Sequence, residues 1–206
     1  MRYEKSIKKD IEENFKEHKV SYSVLKDEDD NEIEMLRWQK KGTSCYYVLY
    51  LRKGNTLFVT GDLGSAVYSW SSNLNLKWIS NCDINYFKSK CEASECGRDY
   101  DEWNEREAKK NLIEYMKEWY EYEDENTKYE EILGKVVETG GMSSLYYKDE
   151  WHGWLERNGY DIFGDDFYEW APSIGKVTSY RCCSHLIGLK MAFEQIGDKV
   201  VAAIEG

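Results

Sequence analysis

The run Thr43-Ser44-Cys45-Tyr46-Tyr47-Val48-Leu49-Tyr50-Leu51-Arg52-Lys53-Gly54-Asn55-Thr56-Leu57-Phe58-Val59-Thr60 decides the fold class. It is dense in aromatic and β-branched residues on both sides of Lys53-Gly54-Asn55, so it reads as two strands, Thr43 to Arg52 and Asn55 to Thr60, around a tight turn. Cys45 to Leu51 is apolar or aromatic at both alternating positions. That places the first strand at a sheet's centre and predicts that Tyr47 or Leu49 is buried. Outward from this hairpin, Glu32 to Gln39 and Val20 to Leu25 repeat the pattern upstream, with turn residues at Asp27 to Asn31 and Lys41-Gly42, and Ala66 to Trp70 repeats it downstream. Connections this short join antiparallel neighbours, so the expectation is a meander of about five strands.

On either side of the sheet the apolar period becomes helical. Tyr3, Ile7, Ile11 and Phe15 recur every fourth residue and predict an N-terminal helix. After Trp70, Asp83 to Cys91 reads as a short helix, and Asp101 to Tyr122 as a long one carrying Ala108, Leu112, Tyr115, Met116 and Trp119 on one face. Tyr129, Ile132, Leu133, Val136 and Val137 form a further face that stops at Gly140-Gly141. Ser143 is read as the cap of a helix bearing Tyr147, Trp151, Trp154 and Leu155 and ending at Asn158-Gly159. The last helix runs from Ser179 to Ile196, with Gly197 as its stop and Val200 to Ile204 as a returning strand. No linker composition divides the chain. The expectation is a single α+β domain over residues 1–206, sheet-rich at 20–70 and helix-rich at 83–196, with helices packed on one sheet face.

The chain has 206 residues, a net charge of −11 and a pI near 4.9, which argues against bulk attraction to nucleic acid or an anionic membrane. An aromatic content of 15% is too high for a disordered chain. Met1 to Val20 alternates charges with single apolar residues and offers no apolar secretion signal, so the expected compartment is a reducing cytoplasm and the six cysteines are read as thiols.

Chemistry-bearing clusters are sparse. Cys82, Cys91, Cys96, Cys182, Cys183 and His185 could supply zinc ligands, but they contain no Cys-x-x-Cys knuckle, and Cys182 and Cys183 project about 100° apart on a helix. No metal and no cofactor are expected. His18, at the charged end of the first helix, is read as solvated; His152 as a donor to a backbone carbonyl; His185 as a core histidine. No catalytic residue is assigned. Gly61-Asp62-Leu63-Gly64 lacks a full phosphate-binding glycine fingerprint and reads as a turn. Ala93 to Arg98 reads as a loop in which Arg98 could meet an anion.

The strongest anomaly is charge. Between Asp99 and Glu131 stand 13 acidic and five basic residues. Glu114, Glu118 and Glu121 fall one helical turn apart, Glu123, Asp124 and Glu125 follow, and Trp119 and Tyr122 lie beside them. Such a surface can enter a basic nucleic-acid groove on another protein, its carboxylates standing in for phosphates. The competing reading is an ordinary solvated helix face with intrahelical pairs such as Glu105 with Lys109.

Three segments, Thr60 to Trp70, Asp83 to Arg98 and His185 to Phe193, together resemble an uncharacterised family of small bacteriophage and prophage proteins. The resemblance implies a phage setting in the bacterial host cytoplasm. There, proteins of this size and acidity act as anti-CRISPR or antirestriction inhibitors. The implied partner is a host defence protein or nucleoprotein; the net charge argues against direct nucleic-acid or membrane binding, and the acidic run supplies the expected contact residues Glu114, Glu118, Trp119, Glu121, Tyr122, Glu123, Asp124 and Glu125. The alternative is a small phage enzyme or ligand-binding protein with a pocket around Asp62, Cys91, Arg98 and His185.

Overall fold

In the computed structural model the backbone is described for residues 2–95, 101–120 and 127–205, and side chains for 6–95, 101–118 and 129–197. The chain is α+β and forms two compact units. Unit 1 comprises residues 1–100 and 178–206, and unit 2 comprises residues 101–177. Sequence reading marks no boundary within 1–206, because unit 2 enters and leaves without linker composition.

Unit 1 holds α1 (Arg2–Phe15), β1 (Lys19–Lys26), β2 (Glu32–Gln39), β3 (Val48–Lys53), β4 (Thr56–Gly61), β5 (Ala66–Ser69), α2 (Leu76–Ile79), α3 (Ile84–Ser89) and β6 (Cys91–Ser94). The strands form one antiparallel meander in chain order. Its turns follow from composition. Asp27 accepts the Asp29 and Asn31 N–H groups, and Gly54, at φ 59°, opens the two-residue β3–β4 hairpin.

Cross-strand register builds one buried face from Leu36 and Trp38, Val48 and Tyr50, Leu57 and Val59, and Ala66 and Tyr68. The closing helix of the chain, which begins at Tyr180, lays Cys182, Leu186, Leu189 and Ala192 on this face, joined by Ile7, Ile11 and Phe15 of α1. The helix comes close because it carries a glycine at the crossing. A Cβ on Gly188 would stand 2.8 Å from the Tyr50 hydroxyl and 3.0 Å from the Phe15 ring.

Several expectations need correction. The central strand buries Val48 and Tyr50, while Tyr47 and Leu49 are half-buried on the opposite side, because a stretch apolar at both alternating positions does not reveal its inner face. Thr43 to Tyr47 is not strand: Tyr46 adopts φ 56°, and its N–H donates to Asp62 Oδ2 at 2.7 Å. β6, a sixth strand, pairs with β5 where the sequence suggested the end of a helix at Cys91 and a loop from Ala93.

Unit 2 holds β7 (Asp101–Trp103), α4 (Glu105–Tyr120), α5 (Thr127–Glu138), α6 (Gly141–Ser144), α7 (Lys148–Phe163), α8 (Phe167–Trp170), a 3₁₀ turn (Ala171–Ser173) and β8 (Lys176–Thr178), which pairs with β7. Its core gathers Ala108, Leu112, Met116, Ile132, Val136, Trp151, Trp154 and Leu155. Trp151 and Trp154 stack at 4.9 Å, and their indole N–H groups donate to the carbonyls of Ala171 and Thr139. Ser143 lies inside the one-turn α6 and does not cap α7. Gly159 does not end α7 either, since it sits under the Phe167 ring, where a Cβ would come within 2.5 Å, and the helix stops at Gly164 with φ 82°.

The last element, α9 (Tyr180–Glu205), passes through Gly197 and keeps Val200 to Ile204 helical. An internal glycine costs a helix only about 1 kcal/mol, and a short apolar run has no period that distinguishes strand from helix.

Candidate functional site

The acidic candidate lies on α4. Asn104 accepts the Glu107 N–H and starts the helix, while Ala108, Leu112 and Met116 anchor one face in the unit 2 core. The early carboxylates are neutralised locally: Glu105 pairs with Lys109, and Glu107 with Lys110 at 3.4 Å. Glu114 is exposed and only 3.9 Å from Lys110, and Glu118, also exposed, makes no ion pair with a described residue. Trp119 lies on α4 by its backbone, but its side chain and Glu121, Tyr122, Glu123, Asp124 and Glu125 fall outside the described residues. Residues 101–177 contain 20 of the chain's 39 acidic side chains and 9 of its 28 basic ones, which accounts for the entire net charge; the remainder has 19 of each.

The alternative constellation lies in unit 1. His185 is buried on α9, its Nδ1 3.3 Å from the Tyr68 hydroxyl. Burial pulls its pKa down to about 4, so the imidazole is neutral at pH 7. Cys91 is the cross-strand partner of Tyr68. Burial raises the Cys91 thiol and pushes Cys182 up to about 12, so neither forms a ready thiolate nucleophile. The structure thus brings Cys91 and His185 to one tyrosine.

It turns Asp62 elsewhere. The Asp62 carboxylate holds the Tyr46 N–H, its own N–H donates to the Tyr47 carbonyl at 2.9 Å, and the pair clamps the loop between β2 and β3 onto the β4–β5 turn. Arg98 lies outside the described residues. Arg181, which sequence reading did not single out, reaches the Gly64 turn and meets Glu95 at 3.6 Å. Among the described residues no group of His, Cys, Asp and Glu could hold a metal ion, and the five described cysteines are free thiols.

Two further polar groups depart from the sequence reading. His18 is not solvated. It is buried beneath the same clamped loop, with Nε2 3.2 Å from the Tyr46 carbonyl and its ring between Phe15 and Trp38, and burial lowers its pKa. Glu34 and Arg52, cross-strand partners on the buried face, form an ion pair at 2.7 Å, both nearly inaccessible to solvent. Glu34 also accepts the Tyr22 hydroxyl and the Leu76 N–H, while Arg52 donates to Asn73 and the Gly54 carbonyl. With every charge partnered, this network serves as a latch between the sheet and the loop entering α2. Its signal was available, since Glu34 and Arg52 stand in phase with Leu36, Trp38, Val48 and Tyr50.

His152 bonds the Pro172 carbonyl at 3.0 Å. No described helix is long and apolar enough to cross a membrane. Compared with protein-family models, curated proteins and solved structures, the chain matches none.

Proposed function

We propose that this chain is a non-enzymatic bacteriophage or prophage inhibitor that acts in the host cytoplasm by binding a defence nucleoprotein of the CRISPR or restriction type. The contact surface is the acidic face of unit 2. The observation that supports this reading is the segregation of charge, with all of the −11 carried by residues 101–177 and the rest of the chain balanced. A field of one sign on one unit speeds encounter with a basic groove and disfavours acidic partners. Glu114 and Glu118 supply exposed carboxylates one turn apart on a helix whose opposite face is fixed in a core. The phage setting rests on the resemblance of Thr60 to Trp70, Asp83 to Arg98 and His185 to Phe193.

The test is a binding titration against purified host defence complexes at two salt concentrations, comparing wild type with the triple variant Glu114→Gln, Glu118→Gln and Glu121→Gln. Slower association and a flatter salt dependence are expected, with an unchanged circular dichroism spectrum. Equal binding by the variant would remove the acidic-mimic mechanism. Failure to bind any complex would favour the ligand-binding alternative around Asp62, Cys91, Arg98 and His185.

A further inference from the structure

Among the described residues of unit 1, the sheet edge at β1 is closed at one end and open along the rest. The Val20 N–H donates to Gln195 Oε1 at 3.0 Å, and Gln195 Nε2 donates to the His18 carbonyl at 3.2 Å, so an amide from α9 fills the place of a neighbouring strand. This bond fixes the ladder. The peptide groups of Ser21, Ser23 and Leu25 face Arg37, Met35 and Ile33, and those of Tyr22, Val24 and Lys26 face outward. Among the described residues, nothing pairs with these three outward N–H groups. The open stretch from Tyr22 to Lys26 carries a single charge, at its Lys26 end, and Tyr22, Val24 and Leu25 are 37%, 47% and 54% exposed. Folded proteins ordinarily cover or charge an edge of this kind.

We propose that β1 pairs with β1 of a second copy about a two-fold axis at Val24, joining two six-stranded sheets. The open stretch is self-complementary. Its three outward residues have Val24 at the centre, so an antiparallel copy sets Val24 against Val24 and Tyr22 against Lys26, for about six backbone hydrogen bonds. In this register Val20 falls opposite Glu28, past the strand's end, so the Gln195 amide obstructs nothing. Lys26 of the second copy lies against Tyr22, whose hydroxyl donates to Glu34 at 2.6 Å, and the lysines of the two copies do not meet. Unit 1 carries no net charge, so the approaching sheets do not repel. The inference uses unit 1 alone and is independent of the acidic-surface reading.

A strand-edge contact is smaller than the roughly 1,600 Å² of a standard interface, so a micromolar equilibrium is expected. The full chain is therefore followed by sedimentation velocity from about 1 to about 200 µM, where the mass should rise from 24.4 kDa toward twice that value. Val24→Lys, which sets like charges on the axis, should raise the dissociation constant about tenfold or more, whereas Val137→Lys on α5 should leave it unchanged. In a Cys45→Ser background under mild oxidation, Val24→Cys should form a covalent dimer, because residues on the axis face each other at about 5.5 Å between Cα atoms. Leu25→Cys, offset from its own copy, should not. A monomeric mass throughout, association unaffected by Val24→Lys, or equal cross-linking at positions 24 and 25 would each overturn the proposal. A monomer would leave the edge to an extended segment of another protein.

Discussion

Every buried polar or charged side chain among the described residues, from His18, Glu34 and Arg52 to Ser184 and His185, belongs to unit 1, while unit 2 holds all of the net charge in its sequence and closes its core with indoles tied to carbonyls. The contrast follows from how each backbone is satisfied. A meander covered on one face must fix the register of its strands, and a buried ion pair ties β2 to β3 and to the loop before α2. Helices satisfy their own backbones, so the helical unit needs only apolar contact inside and leaves its surface free to be acidic.

The largest break in this contrast is expected from Glu34→Ala, which leaves the buried Arg52 only the exposed Glu32 carboxylate at 3.9 Å as an ionic partner. A loss of about 3–5 kcal/mol should appear in urea unfolding, and hydrogen exchange should locate it in β2, β3 and α2 and not in α4 or α7. Equal deprotection of both units would show that they do not differ in this respect. A pH effect of about 3 kcal/mol should come next. Because the folded His185 pKa is about 4 against an unfolded value near 6.5, the unfolded chain binds the proton first as pH falls. Stability from this group is complete above about pH 6.5 and is lost down to about pH 4. His18, also lowered by burial, acts in the same direction, and His185→Gln should flatten the curve measured by denaturant titration.

Gly188→Ala should cost about 1–3 kcal/mol, since its methyl meets Tyr50 and Phe15, whereas Gly197→Ala, with nothing within 4 Å, should add up to about 1 kcal/mol of helix stability. Thermal denaturation of the two variants separates packing from propensity on one helix. The smallest effect is predicted for Glu114→Gln with Glu118→Gln, which should change stability by no more than about 0.5 kcal/mol, marking these carboxylates as dispensable to the fold.

Alternation and turn chemistry made β1, β2, β4 and β5 readable, and the helical period made α1 and α4 readable, because those signals are local. Thr43 to Tyr47 has strand composition, yet a carboxylate 16 residues away at Asp62 bends it into a loop, and that contact leaves no mark in the run itself. β6, β7 and β8 are too short to show a period. His18 sits among charges in sequence but under a clamped loop in space. At the candidate sites, the acidic run and its Trp119 were visible as composition, whereas the approach of Arg181 to Gly64 depends on packing α9 against the β4–β5 turn. The Glu34–Arg52 pair left a signal of a different kind: both residues stand in phase with Leu36, Trp38, Val48 and Tyr50, and that phase reads as inward only once the buried face of the strands is known.

That residues 101–177 stand in the chain between the strands of the sheet and α9 has a consequence for the order in which the chain is made. Unit 2 is complete once residue 177 has left the ribosome, but the inward face of the sheet waits for Leu186, Leu189 and Ala192, translated afterwards. The earlier-synthesised strands are thus the later to gain their full cover, and Tyr50, whose hydroxyl donates to the His185 carbonyl on α9, is without that partner until the last helix is made.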